Sequence, residues 1–350
     1  MTVLGGGVFG GAADDLTELR SLVDDIGRRS FDSRIGHRSL PDAFDATAWG
    51  HLDEAGLTRL SSTPDSGGGP AEAAVVLRAL ARHAVTVPVA ETDLLACWLA
   101  GRAGLDVPDT GALTLATDLG AVPYAADAAA AVVALPDGDA LRVAVCDPAS
   151  LSIERGHNGG GEPRDTVLLD RDSDSFVSVD GAAAELMRRG AWARCMQVIG
   201  ALDAAVEFSV EHTRDREQFG RPLSAFQAVQ HTLAAMAGEV ERGRAAANLA
   251  VAAAVDHGFD DAATDYAVTV AKVTLGRVVP AVITSAHQLH GAIGVTIEHR
   301  LWLATMRARA WISEFGDTAH HARRLGRLAL ATADPWDVVV GSVSESIGTR

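Results

Sequence analysis

Apolar side chains recur at three- and four-residue spacing over residues 12 to 27, 41 to 56, 70 to 86 and 89 to 103, with glycine, serine and proline between the runs. That spacing lines one face of a helix, so the pattern predicts four short N-terminal helices. From about 111 to 180 the pattern changes to short runs bounded by Asp, Gly and Pro: Leu113-Thr114-Leu115, Ala131 to Leu135, Leu141 to Val145 and Thr166 to Leu169. These predict a small β unit. Between them the glycine-rich, polar segment from Gly156 to Asp165 reads as a surface connection.

From Ala182 the helical spacing returns and holds to about Ala331, in segments near 182 to 212, 223 to 256, 261 to 291 and 300 to 331. The second would be about 50 Å long at 1.5 Å per residue, and four such helices are expected to pack as an antiparallel bundle. The predicted fold is thus mainly α with a small β unit. Residues 1–105 form an N-terminal helical domain, 106–181 a reduced β domain and 182–335 a C-terminal four-helix bundle, with a mobile tail over 336–350.

A chain of 350 residues, 48% hydrophobic, has ample material for a core without staples. Cys97, Cys146 and Cys195 are far apart and show no Cys-x-x-Cys spacing, so they are expected to be reduced, buried thiols in a cytoplasmic protein. The formal net charge of -16, with no basic run to offset it, argues against nucleic acid or an anionic membrane as partner. The first eleven residues lack the basic and apolar stretches of a signal peptide, and alanine-rich runs such as Ala245 to Val255 are too short to span a bilayer. Lys272 is the sole lysine, so a Schiff-base mechanism would have one candidate, inside an apolar helical run.

Some patterns have a plain structural reading. Gly5-Gly6-Gly7-Val8-Phe9-Gly10 satisfies the dinucleotide fingerprint, but only four residues precede it and no second strand follows, so it reads as an N-terminal loop. His287 and His290 stand at i and i+3 without a companion ligand pair, and read as polar side chains at a helix end rather than a metal site. No nucleophile elbow and no P-loop occur.

Two helix-break-helix junctions carry more. Arg216-Glu217-Gln218-Phe219-Gly220-Arg221-Pro222-Leu223, followed by Phe226-Gln227, stops one long apolar helix and starts another. Further on, Gln288-Leu289-His290-Gly291-Ala292-Ile293-Gly294 is a second break whose glycines allow a ligand close to the backbone. In this order and within an all-helical half, the pair resembles the flavin-contacting motifs of the acyl-CoA dehydrogenase family. The resemblance implies that Arg216, Gln218, Phe219 and Phe226 contact a flavin adenine dinucleotide (FAD). It implies that Gln288, Leu289, Gly291, Ala292 and Gly294 hold its adenosine and diphosphate end from a neighbouring subunit. An arginine fork suits phosphate oxygens, and backbone N–H groups at a glycine turn suit anions. Gly291-Ala292 departs from the commoner double glycine by one methyl group.

The same resemblance implies a carboxylate base near the end of the bundle, where this chain has Ile312-Ser313-Glu314-Phe315-Gly316. Glu314 is the candidate, yet counted from Gln288 it is Phe315 that falls at the family's glutamate position. The family's alternative position corresponds to Gly190 and Ala191, where no carboxylate stands. The family's flavin-lining segments of the β domain are also missing from residues 104 to 180. Besides a helical scaffold that binds no flavin, for which both junctions are helix breaks alone, two readings stay open. The chain is an FAD-dependent α,β-dehydrogenase of an acyl-CoA thioester, in a homo- or hetero-oligomer with a longer acyl-CoA dehydrogenase and with an electron-accepting flavoprotein as redox partner; steroid side-chain thioesters are among the substrates implied. Alternatively it is a non-catalytic subunit that completes a relative's flavin sites.

Overall fold

The computed structural model describes residues 13–33, 40–63, 68–117, 121–168, 175–297 and 299–340. The Gly5 to Gly10 run and all of the expected tail beyond Val340 lie outside the described residues.

Four helical elements open the chain: α1 (Ala13–Ser33), α2 (Ala46–Glu54), α3 (Pro70–Arg82) and α4 (Trp98–Ala103), the last preceded by a π-helical stretch, Ala90–Cys97. Their starts follow from local chemistry. Asp45 caps α2 by accepting from the Ala48 N–H at 2.9 Å, and Pro70 opens α3 while the Glu72 carboxylate accepts from the Gly69 N–H at 2.8 Å. The apolar side of α3, with Val76, Leu77 and Leu80 buried, packs on the long helix α5 (Ala182–Asp215). That approach needs Gly200, because a Cβ there would come within 2.1 Å of the Arg78 carbonyl oxygen.

The β unit holds a sheet of order β1-β3-β4-β7 (Leu113–Ala116, Ala130–Asp137, Ala140–Cys146, Val177–Val179) and a second of order β2-β6-β5 (Val122–Pro123, Arg164–Leu168, Ser152–Glu154). β1 and β3 run parallel, with Leu113 opposite Ala130, and the other pairs are antiparallel. β1, β3, β4 and β6 lie where the apolar runs predict strands. β2, β5 and β7, two or three residues each, are too short to show a period.

The bundle consists of α5, α6 (Gln227–His257), α7 (Ala262–His290) and a fourth position filled by two helices, α8 (Arg300–Trp311) and α9 (Thr318–Ala331), with short α10 (Pro335–Val339) after them. α5 is its axis: Trp192, Cys195, Met196 and Ile199 are fully buried. The continuous helix expected over 300 to 331 is therefore corrected. Phe315 and Gly316 take left-handed backbone (φ 52° and 87°), and Asp317 recaps the chain by accepting from the His320 N–H at 2.7 Å. Lys272 pins this break from within the core, its Nζ donating to the Ile312 and Glu314 carbonyls at 2.7 Å each.

The segment from Gly156 to Asp165 is a second correction. Its latter half turns inward, with Glu162, Arg164 and Asp165 buried. The Gly161 carbonyl accepts from the Asp42 N–H at 2.8 Å, and Gly160 lies so close to α8 that a Cβ would meet the Arg307 backbone at 2.9 Å. The glycines here serve close packing rather than solvent exposure.

Candidate functional site

Among the described residues, polar side chains line a cavity between the β unit and the bundle, and a second pocket at the bundle end where α5 and α7 stop.

The cavity, about 770 Å³, is walled by the π-helical stretch, β1, the Gly156–Asn158 turn, β6, α5 and the α8–α9 break. Glu91, Arg194, Glu314 and Arg164 form a continuous chain of ion pairs in its wall. Arg194 donates from Nη2 to Glu91 at 2.7 Å and from Nε to one Glu314 oxygen at 2.7 Å, while Arg164 donates to the other Glu314 oxygen at 2.8 Å. Glu162 lies 3.9 Å from Arg164 and is held by Asn158 Nδ2 at 2.9 Å. Arg194 spends its remaining nitrogen on Gln197 Oε1 at 2.7 Å.

Glu314 is thus not a free carboxylate. Both oxygens accept from guanidinium groups, and its side chain is 25% exposed. Burial alone would raise its pKa, but Arg194 and Arg164 outweigh burial and hold it down at about 2. A general base works best with a pKa near the working pH, so this group is suited to be a counter-ion. Phe315, the next residue, turns its ring onto Gly190, where a Cβ would sit 2.3 Å from the ring. The two positions at which the family resemblance implies a carboxylate therefore face each other, and hold an aromatic ring and the glycine that makes room for it. His321, with Nε2 donating to the Phe315 carbonyl at 3.1 Å, fixes that backbone.

None of Glu91, Glu162, Arg164 and Arg194 stood out in the sequence. They lie in separate parts of the chain, Glu91 near Asp93 in an apolar run and Glu162 and Arg164 beside Asp165 after a glycine-rich loop, and the Arg194–Glu91 pair alone spans 103 residues. The available signal was the lone arginine inside the Ala191 to Leu202 stretch, where the other polar side chain is Gln197.

At the bundle end, α5 runs out at Asp215 and the chain reverses through a two-residue turn between β8 (Glu217–Gln218) and β9 (Arg221–Pro222). Both turn residues have positive φ, Phe219 at 55° and Gly220 at 77°, as such a tight hairpin requires. Glycine takes this conformation freely. Phe219 takes it under strain and is 91% exposed. Phe226 packs edge-on to it at 6.1 Å, with Arg221 over the Phe226 ring at 4.1 Å. Gln218 Nε2 donates to the Glu217 carbonyl at 2.9 Å. The Arg216 guanidinium makes no hydrogen bond or ion pair among the described residues.

α7 ends beside it. Gly291 caps the helix at φ 64° with open space where a Cβ would point, and Ala292 after it is exposed. Gln288 is exposed, Leu289 packs half-buried on the core, and Gly294 is buried against the His290 side chain. His290 stacks on His212 of α5 at 4.4 Å between ring centroids, one helical turn before Arg216. The two motifs thus lie side by side in one chain.

This end fits the diphosphate and adenosine part of a flavin dinucleotide. It offers an arginine without a partner among the described residues, an uncrowded glycine turn, an exposed strained aromatic ring, and the buried His290 Nε2 with no hydrogen-bond partner among them.

Residues 181–329 match the family profile described as acyl-CoA dehydrogenase, C-terminal domain. The chain is 27% identical to the acyl-CoA dehydrogenase IpdE2 of Mycobacterium tuberculosis over 283 residues, 76% of this chain and 81% of that one. With IpdE2 of Mycolicibacterium smegmatis it shares 30% identity over 127 residues, which is 36% of this chain but only 38% of that protein. Among solved structures, a variant of the Tcur3481-Tcur3483 steroid ACAD superposes with a TM-score of 0.75 at 25% identity, covering 92% of this chain and 99% of that one. The ChsE4-ChsE5 complex from Mycobacterium tuberculosis shares the fold, with a TM-score of 0.76 at 20% identity over 95% of this chain and 100% of that one. The helical N-terminal unit, the small sheets and the C-terminal bundle give the chain the acyl-CoA dehydrogenase fold, and its C-terminal bundle matches that family's C-terminal domain.

Proposed function

We propose that this chain works as one subunit of an FAD-dependent acyl-CoA dehydrogenase, and that the carboxylate taking the α-proton of the thioester stands on a companion subunit. The observation that carries this reading is the Phe315 ring seated on Gly190 beside a Glu314 already bound by two arginines. Neither family base position offers a carboxylate, and the nearest one is neutralised by permanent cations.

Flavin, when bound, would accept the hydride that leaves the β-carbon. The chain's own part is to bind and orient. Arg216 would give a phosphate oxygen a charge-assisted hydrogen bond, the Gly291 turn, whose own N–H already donates to the His287 carbonyl, would let a ligand come close to the backbone, and Phe219 and Phe226 would offer flat faces to the dinucleotide rings. Buried Arg164 and Arg194 would keep the cavity wall rigid without moving a proton.

Heteromeric relatives support a companion of the same family, and the likeness to a steroid ACAD supports a steroid-derived acyl-CoA as the substrate class. An electron-accepting flavoprotein would reoxidise the assembly. The test is to purify the chain alone and together with a longer acyl-CoA dehydrogenase, and to measure flavin absorbance per chain and its bleaching by acyl-CoA. Bleaching only in the two-chain complex is expected. A chain that alone holds stoichiometric flavin and bleaches it would overturn the reading.

A further inference from the structure

The bundle end contains a second arrangement that the binding motifs do not require. A pocket of about 300 Å³ opens beside Arg216, lined by Phe208, Glu211, His212, Asp215, His299 and Arg300. His212, His290 and His299 meet there from three elements. His212 lies flat on His290 at 4.4 Å and 19°, and His299 stands edge-on to His290 at 5.0 Å and to His212 at 6.5 Å.

The hydrogen bonds fix what two of these rings can do. His290 donates from Nδ1 to the Ala286 carbonyl at 2.8 Å, which leaves Nε2 as a buried lone pair without a partner among the described residues. A proton there would be a buried cation without an acceptor, and burial accordingly pushes this imidazole down to about 4. His299 accepts from the Leu301 N–H at 3.2 Å through Nδ1, so protonating that atom would remove the cap of α8. Of the three, His212, half-buried at the pocket wall, is the one that can gain a proton without losing a bond.

Charge decides when it does so. With neutral imidazoles the pocket balances: Arg216 and Arg300 against Glu211 and Asp215, with Arg300 already paired to Glu211 at 2.6 Å and lying over Phe208. α7 contributes His287 and His290, both held neutral by burial, and the hairpin after α5 carries Glu217 and Arg221. Partial burial and then the Arg216 charge keep His212 below its ordinary value, against the opposing pull of Asp215. A diphosphate would bring two negative charges to a pocket that has no net charge to meet them, and would at the same time neutralise Arg216.

We infer that His212 is a proton-linked ligand of this pocket: binding of a diphosphate-bearing nucleotide draws one proton onto its imidazole, so that the site holds the diphosphate with Arg216 and a protonated His212 together. This rests on the reading that the bundle end receives the flavin dinucleotide, but it concerns only how the chain's own residues respond to the diphosphate. Affinity is then expected to fall with rising pH, by up to about tenfold per unit once His212 is neutral in the free protein and protonated in the complex.

The test is isothermal titration calorimetry of the full chain with FAD and, separately, with adenosine diphosphate, in buffers of different ionisation enthalpy. Near neutral pH the dependence of heat on buffer is expected to report uptake approaching one proton for each ligand. His212→Gln, which keeps a donor but cannot titrate, should abolish the uptake and flatten the pH profile, whereas His287→Gln should leave both unchanged. Binding of either ligand without proton uptake, or uptake that survives in His212→Gln, would overturn the inference while leaving the flavin reading intact. Adenosine diphosphate bound with uptake but no binding of FAD would support the inference and count against the flavin reading. Absence of binding by both ligands, to the chain alone and to its complex with a longer acyl-CoA dehydrogenase, would overturn both.

Discussion

The two polar regions of this chain use the same side chains to opposite ends. In the cavity, Arg164 and Arg194 are buried and their guanidinium groups are taken up by acceptors of the chain itself, carboxylates at 2.7 to 2.8 Å and, for Arg194, the Gln197 amide oxygen at 2.7 Å. At the bundle end, Arg216 is exposed and has no partner among the described residues, next to a strained, exposed Phe219 and a glycine turn with open space above it. An arginine satisfied by its own chain has its charge committed to structure, and an arginine left without a partner at a strained turn is available to an anionic ligand. Within one fold, then, the part that would do proton chemistry has been closed by ion pairs and an aromatic ring, while the part that would grip a dinucleotide has stayed open.

The largest effect should come from breaking the closed region. Arg194→Ala leaves Glu91 and Glu314 without their shared cation, and removing one partner of a buried ion pair costs about 3–5 kcal/mol. Chemical unfolding of the purified variant measures it. A loss below about 1 kcal/mol would mean that the network is ornamental and that the contrast between the two regions is not energetic.

Acid probes the same network without mutation. Glu314 titrates near 2 in the folded chain, below its ordinary value of 4.5, so its stabilising effect is complete above about pH 4.5 and is lost as pH falls towards 2. The shift corresponds to about 3 kcal/mol. A stability profile across that window should be steeper for the native chain than for Glu314→Gln. Parallel profiles would show that the arginines do not hold the carboxylate down.

At the open end the expected effect is smaller and of another kind. Arg216→Ala should leave unfolding unchanged, because the guanidinium has no partner among the described residues to lose. It should weaken flavin retention by the 1.5–3 kcal/mol of a charge-assisted hydrogen bond, about 10- to 150-fold in affinity. Lost stability with unchanged flavin affinity would reverse the roles assigned to the two regions.

The open end was legible in the sequence because its chemistry is local. Arg216, Phe219 and Gly220 lie within five positions, and Gln288 to Gly294 within seven, so a helix break and its polar residues appear together. The long helices were legible too, since 3.6-residue periodicity survives over thirty positions. The cavity was not. Its charges come from the π-helical stretch, a glycine-rich loop, the middle of α5 and a break that looks helical by composition, and only tertiary packing brings them to ion-pair distance. The inward turn of residues 160 to 165 illustrates why: glycine and polar residues look the same in a sequence whether they face solvent or pack against Arg307. The kinship of the two motifs was visible, but their meeting through the His212–His290 stack depends on two helices ending at the same level, which no spacing along the chain reveals.

The most direct test of the claim that this chain carries no base of its own is stopped-flow measurement of acyl-CoA-dependent flavin reduction in the two-chain complex, comparing native protein with Glu314→Gln. The substituted amide keeps the shape of the carboxylate and accepts from one arginine but cannot take an α-proton, so folded, flavin-loaded complex should be reduced at the native rate within a factor of about two. A fall of about 100-fold or more, the loss expected when a positioned general base is removed, would place the base at Glu314 and contradict the reading of it as a counter-ion.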